Sequence, residues 1–194
     1  MNDDNDNIKL LDEYVESHPN CRLNSSRKET IEGEVRQIPT FRFPTKLIYY
    51  NIDNGRFKKE YTALKKKNGG HLDPFNVLDR KKIQNLLLTL GSEDGKLNPD
   101  SERTIKDMKK RGQLEPGIIT QDGFLIDGNR RMSVIEHLHQ KTHDTKFQFI
   151  EVARLNERIS NQDMYQIEAG ISLGMDSKVR YGPLNVLLKI EEGI

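Results

Sequence analysis

The chain is expected to fold as an α+β domain, a small mixed sheet with flanking helices, followed by a helical C-terminal segment. Three observations predict this. Two short runs of strand-type residues stand out, Phe124 to Ile126 between the glycine turns at Gly123 and Gly128, and Phe147 to Leu155. A longer segment, Asp79 to Leu90, instead carries Ile83, Leu86, Leu87 and Leu90 at helical spacing. The two kinds of pattern also alternate along the chain without a sequence repeat, which places strands and helices around one core.

The elements follow in order. Residues 1–34 read as a polar N-terminal extension. Ile8, Leu10, Leu11, Tyr14 and Val15 form one face of a short helix that stops at His18-Pro19, and Asn24 to Glu34 is expected to be a mobile polar stretch. Residues 35–158 carry the main domain. Ile38, Phe41, Phe43 and Leu47 to Tyr50 are strand-type, with Pro39 and Pro44 suited to strand edges or starts. Asn51 to Arg56 is a turn, Phe57 to Leu64 a short helix broken by Asn68-Gly69-Gly70, and Gly91 to Pro99 a loop. Ser101 is placed to cap a helix carrying Thr104, Ile105 and Met108 that closes at Gly112. Pro116 precedes a strand at Ile118 to Thr120. A turn at Asp122-Gly123, a second strand and a helix from Arg130 then follow. Residues 159–194 are expected to be helical, with Asn161 to Leu173 and Leu184 to Ile190 as the helices, the latter started by Tyr181-Gly182-Pro183.

Length and charge bound the function. A chain of 194 residues can bury a real core. Its 31 Lys and Arg nearly balance 30 Asp and Glu, so no overall field draws it to nucleic acid or membrane. The charge is nevertheless clumped, at Lys65-Lys66-Lys67, Arg80-Lys81-Lys82, Lys109-Lys110-Arg111 and Arg130-Arg131. A single cysteine, Cys21, excludes an internal disulfide and suits a reducing cytoplasm. No apolar run approaches a membrane span, so no membrane partner is expected, and the acidic N-terminus is unlike a signal peptide.

The most informative stretch is Asp127-Gly128-Asn129-Arg130-Arg131. A glycine at the end of a strand lets backbone approach a ligand, a helix start favours anions, and paired guanidiniums bind phosphate through directed hydrogen bonds. Asp127 is expected either to cap the helix or to help hold Mg²⁺.

Taken with Gly112-Gln113-Leu114-Glu115-Pro116, the strand at Ile118-Ile119 and the turn at Gly123, this stretch resembles the N-terminal domain of ParB-family partition proteins and the wider ParB/sulfiredoxin-like superfamily. The family carries a glycine-glutamate-arginine-arginine box here, and the similarity covers roughly Phe41 to Leu155. The resemblance implies a bound nucleoside triphosphate, CTP or ATP, with Mg²⁺. Gly128, Asn129, Arg130 and Arg131 would lie at the phosphates, and Gly112 and Pro116 would shape the neighbouring loop. Arg56 would come from the early Asn54-Gly55-Arg56 turn. Sulfiredoxins place a catalytic cysteine just before the corresponding arginine. Here Gly128 and Asn129 stand there, which argues against sulfinic-acid reduction. Of the family's later glutamate-asparagine box, only Glu168 in Gln166 to Gly170 is retained. Glu168 and Asp127 are the candidate metal ligands and the candidate catalytic groups.

The function expected is therefore that of a cytoplasmic nucleotide-binding protein in a DNA-related process such as segregation, regulation or defence, with slow hydrolysis of the triphosphate. A non-catalytic DNA-binding module is one alternative. A metal-dependent nuclease is another, although no compact acidic cluster supports it. Expected partners are the nucleotide and DNA, with a homodimer left open. Other features take plainer readings. His137, His139 and His143 are helix-end histidines rather than metal ligands, the lysine clusters are solvated faces, and Tyr49-Tyr50 are buried strand aromatics rather than a base platform.

Overall fold

The computed structural model describes residues 4–53, 55, 57–92 and 94–174. Arg56 and the helix expected from Leu184 to Ile190 lie outside the described residues. The chain is an α+β domain with one five-stranded mixed sheet, in the order β1-β2-β5-β3-β4. The strands are β1 (Arg22–Ile31), β2 (Glu34–Pro44), β3 (Gly117–Ile119), β4 (Leu125–Asp127) and β5 (Phe149–Arg154). The helices are α1 (Asp4–Ser17), α2 (Lys58–Lys67), α3 (Val77–Thr89), α4 (Pro99–Arg111), α5 (Asn129–Thr142) and α6 (Asn161–Gly174). Strands β1 and β2, β2 and β5, and β3 and β4 pair antiparallel, whereas β3 and β5 run parallel.

Alternation along the strands divides the interior into two clusters. Phe41, Phe43, Ile119, Leu125, Ile150 and Val152 belong to the larger one, which also takes in Ile83 and Leu87 of α3 and Met132 and Val134 of α5. Their neighbours Ile118, Ile126 and Ala153 join Ile31 and Ile38 in the smaller one, which Ile167 and Ile171 of α6 complete. Helix α6 thus closes the second side of the sheet instead of trailing behind the domain. Among the described residues, no helix is long and apolar enough to cross a membrane.

The N-terminal 34 residues differ most from expectation. Helix α1 forms as its apolar spacing predicts, and its Leu11 is fully buried. The Asn24-to-Glu34 stretch, expected to be mobile, instead supplies most of a ten-residue edge strand, Arg22–Ile31, and the turn after it. Two left-handed residues, Glu32 (φ 52°) and Gly33 (φ 79°), make the tight turn into β2, a geometry that matches the twist of a hairpin. Arg154 on β5 fastens α1 to the sheet, donating to Asp12 at 2.6 Å and to the Gln121 carbonyl at 2.9 Å. The cap of α4 is Asn98 rather than Ser101: the Asn98 side chain accepts the Ser101 amide at 2.7 Å, and Pro99 occupies the first helical position.

Candidate functional site

Two glycines set the geometry around the Asp127-to-Arg131 stretch. Strand β4 ends at Asp127, and Gly128 turns the chain with φ 107° and ψ 8° into α5, whose cap position it occupies. That φ strains any residue bearing a Cβ. A Cβ on Gly128 would also stand 3.4 Å from the Gly117 Cα and 3.6 Å from Nη1 of Arg131. Across the β3–β4 pair, a Cβ on Gly117 would come within 2.7 Å of the Asp127 carbonyl oxygen. The start of α5 lies this close to the sheet only because both positions lack side chains. Gly117→Ala is therefore expected to destabilise the fold by about 1–3 kcal/mol through backbone displacement, read as a lower urea midpoint. An unchanged midpoint would show that β3 and β4 separate freely at this point.

The candidate residues divide into three groups. Asp127 is spoken for: its carboxylate accepts Nη1 of Arg27 at 2.9 Å, and Arg27 also donates to Glu29 at 2.7 Å and to the Pro116 carbonyl at 2.7 Å. It does not cap α5, because Gly128 holds that position. The second group is structural. Gly112 is exposed and closes α4 with φ 72°, donating its amide to Met108. Pro116 contributes its carbonyl to Arg27. Asn129 turns its side chain inward, where it is buried and accepts the Asn51 amide at 3.0 Å.

The third group is charged. Arg130 donates to Asp100, in the first turn of α4, at 3.2 Å, and both side chains remain partly open, at 26% and 33%. Arg131 lies beside Gly128. Glu168, buried on α6, accepts the Gly55 amide at 3.1 Å. The two proposed metal ligands are thus held by Arg27 and Gly55. Among the described residues, no group of three or more His, Cys, Asp or Glu side chains is placed to hold a metal ion. These residues do not fit a resident Mg²⁺.

An open cavity of about 920 Å³ lies beside this region. The turn at Asn51 to Asp53, the β3–β4 hairpin and the segment from Glu157 to Glu168 form its walls. Lys58, at the start of α2, and Arg158 bring positive charge to it, and Asp53, Asp122, Glu157 and Glu168 bring negative charge. The starts of α2 and α6 both border it, and helix starts favour anions. Glu168 lines the cavity. Among the described residues that line it, Gly128 to Arg131 do not appear. They reach it at one remove, through the Asn129–Asn51 hydrogen bond. Sequence reasoning reads Lys58 only as part of the basic pair Lys58-Lys59 and misses Arg158 and Gly117; Arg158 is a lone cation outside the helices and carries no local signal.

The remaining candidates stay apart from the cavity. Lys65 to Lys67 and Lys109 to Arg111 occupy the last turns of α2 and α4, where the helix dipole favours cations, and Arg111 also pairs with Asp107 at 3.0 Å. His139 accompanies the last turn of α5, and His143 is its left-handed cap residue. Tyr50 is fully buried, whereas Tyr49 is half-buried and packs with Phe75 and Phe124. Comparison of the chain with protein-family models, curated proteins and solved structures returns no match.

Proposed function

We propose that this protein binds a nucleoside triphosphate in the cavity beside α5, as a ParB/sulfiredoxin-like protein of the cytoplasm acting in a DNA-related process. One observation carries the reading. The turn that forms a wall of the cavity is tied at Asn51 to Asn129, a nucleotide-binding candidate, and the chain just beyond it is tied at Gly55 to Glu168, a metal-ligand and catalytic candidate. The volume suits a nucleotide, since small-molecule sites span about 300–1,000 Å³.

Lys58 and Arg158 are the cations on the walls, which also carry the carboxylates of Asp53, Asp122, Glu157 and Glu168, and Arg130 and Arg131 add guanidiniums on α5 outside the lining. Mg²⁺ enters this reading as a companion of the phosphates rather than as a metal held by the protein alone.

Calorimetric titration of the full chain with CTP, ATP, GTP and UTP, each with and without Mg²⁺, tests the proposal. Saturable binding of at least one triphosphate is expected. Lys66→Ala should bind as the wild type does, because Lys66 is an exposed residue in the last turn of α2. Absence of binding by all four nucleotides would remove the reading. Equal weakening by Lys66→Ala would point instead to a diffuse basic surface.

A further inference from the structure

We propose that Phe124 is the surface on which the planar base of the ligand stacks, so that the cavity distinguishes nucleotides from bare polyphosphate. This rests on the nucleotide reading above. Phe124 is a cavity-lining residue that leads into β4, and it is half-buried while the next two residues, Leu125 and Ile126, are buried. An aromatic face left on a cavity wall has apolar area still to cover, and stacking a base covers it without needing a particular hydrogen-bonding edge.

The ring is braced for that role. Tyr49 packs against it with centroids 5.5 Å apart, and Phe75 meets it edge-on at 5.7 Å and 87°. Tyr49 and Phe75 also contact each other at 4.4 Å, which completes a triangle of rings behind the wall. The backbone is fixed as well. The Phe124 amide donates to the Thr120 hydroxyl at 2.9 Å, and its carbonyl accepts the Thr120 amide at 2.9 Å. The flanking residues join the Tyr49 backbone: the Tyr49 amide donates to the Gly123 carbonyl at 2.9 Å, and the Leu125 amide donates to the Tyr49 carbonyl at 3.0 Å. A ring held this way loses little freedom when a base covers it. Lys58 and Arg158 line the same cavity, beside the carboxylates of Asp53, Asp122, Glu157 and Glu168, so a ligand whose base covers Phe124 has these two cations for its phosphates.

The test titrates wild type, Phe124→Leu and Phe124→Tyr with the best-binding nucleotide and with sodium tripolyphosphate. Phe124→Leu keeps apolar bulk but removes the ring. It should weaken the nucleotide about tenfold and leave tripolyphosphate unchanged, while Phe124→Tyr binds both as the wild type does. Wild-type affinity for the nucleotide in Phe124→Leu overturns the proposal. So does parallel loss of nucleotide and tripolyphosphate, which would make Phe124 a support for the wall rather than a base platform. If the wild type takes up tripolyphosphate but no nucleotide preferentially, base stacking is excluded while an anion site survives. If it takes up neither, the nucleotide reading fails first and this one with it.

Discussion

Glu136→Leu is expected to lower stability by about 3–5 kcal/mol, the loss that follows when one partner of a buried ion pair is removed. Glu136 on α5 accepts from Arg80 on α3, through Nε at 2.9 Å and Nη2 at 2.6 Å. The two side chains are only 14% and 12% exposed. Arg80 also donates to the carbonyls of Ile48 and Thr45, each at 2.7 Å, and so ties both helices to the segment that leads into the cavity wall. The second Glu136 oxygen accepts the Tyr50 hydroxyl at 2.6 Å. Burial, together with that carboxylate, pushes the Tyr50 phenol well above its ordinary range and keeps it a donor. Leucine at 136 would strand a buried guanidinium and leave the hydroxyl without its acceptor. A urea midpoint close to that of the wild type would show that water replaces the carboxylate. The double variant Arg80→Met/Glu136→Leu should recover only part of the loss, because it removes the stranded charge but leaves the Tyr50 hydroxyl without its acceptor and the Ile48 and Thr45 carbonyls without their donor.

That network shows what the sequence reading could and could not reach. Helical spacing gave direct access to α3: Ile83 and Leu87 are buried as their periodicity requires. Nothing local announces that Arg80, within a run that reads as a solvated basic face, turns inward to a carboxylate 56 residues later. Strand β1 was illegible for a related reason. An edge strand is held by backbone pairing, so its side chains can stay polar, and of its ten residues only Ile31 is buried. With β1 read as mobile, Arg27 had no place, and Asp127 was left open as a cap or metal ligand until the fold brought the two together. Both Asn98 and Ser101 qualify chemically as caps. The proline at 99 favours the earlier start, because it is tolerated at the first helical position.

The candidate site divides along the same line. Gly128 stood out in the sequence as a glycine at a strand end that lets backbone approach a ligand; the left-handed φ of 107° is a further reason for glycine there that the fold supplies. Gly117 was not, because its reason is a carbonyl oxygen on the paired strand, ten residues away in sequence. The order Gly-Asn-Arg-Arg identifies residues of the right chemistry but cannot say which way each points. Asn129 points inward to a turn, and Arg130 points to α4.

Arg130→Ala is expected to weaken nucleotide binding roughly 100-fold, the scale of losing a charged partner from a desolvated contact. In the ligand-free chain Arg130 is engaged by Asp100, and the partial exposure of both side chains limits that pair to about 1 kcal/mol or less. A phosphate offers two oxygens to the guanidinium fork and more negative charge than one carboxylate, so exchange of Asp100 for ligand is favourable. Three consequences separate this arrangement from a purely structural arginine. Folding stability of Arg130→Ala should fall little, as read by urea denaturation. Arg130→Lys should restore only part of the affinity, because an ammonium provides charge without the fork. Asp100→Asn should tighten binding, since it removes the competitor and leaves the arginine in place. If Arg130→Ala and Asp100→Asn both bind with wild-type affinity, the polyphosphate does not reach the start of α5. Its charge must then be met on the cavity wall itself, where Lys58 and Arg158 stand.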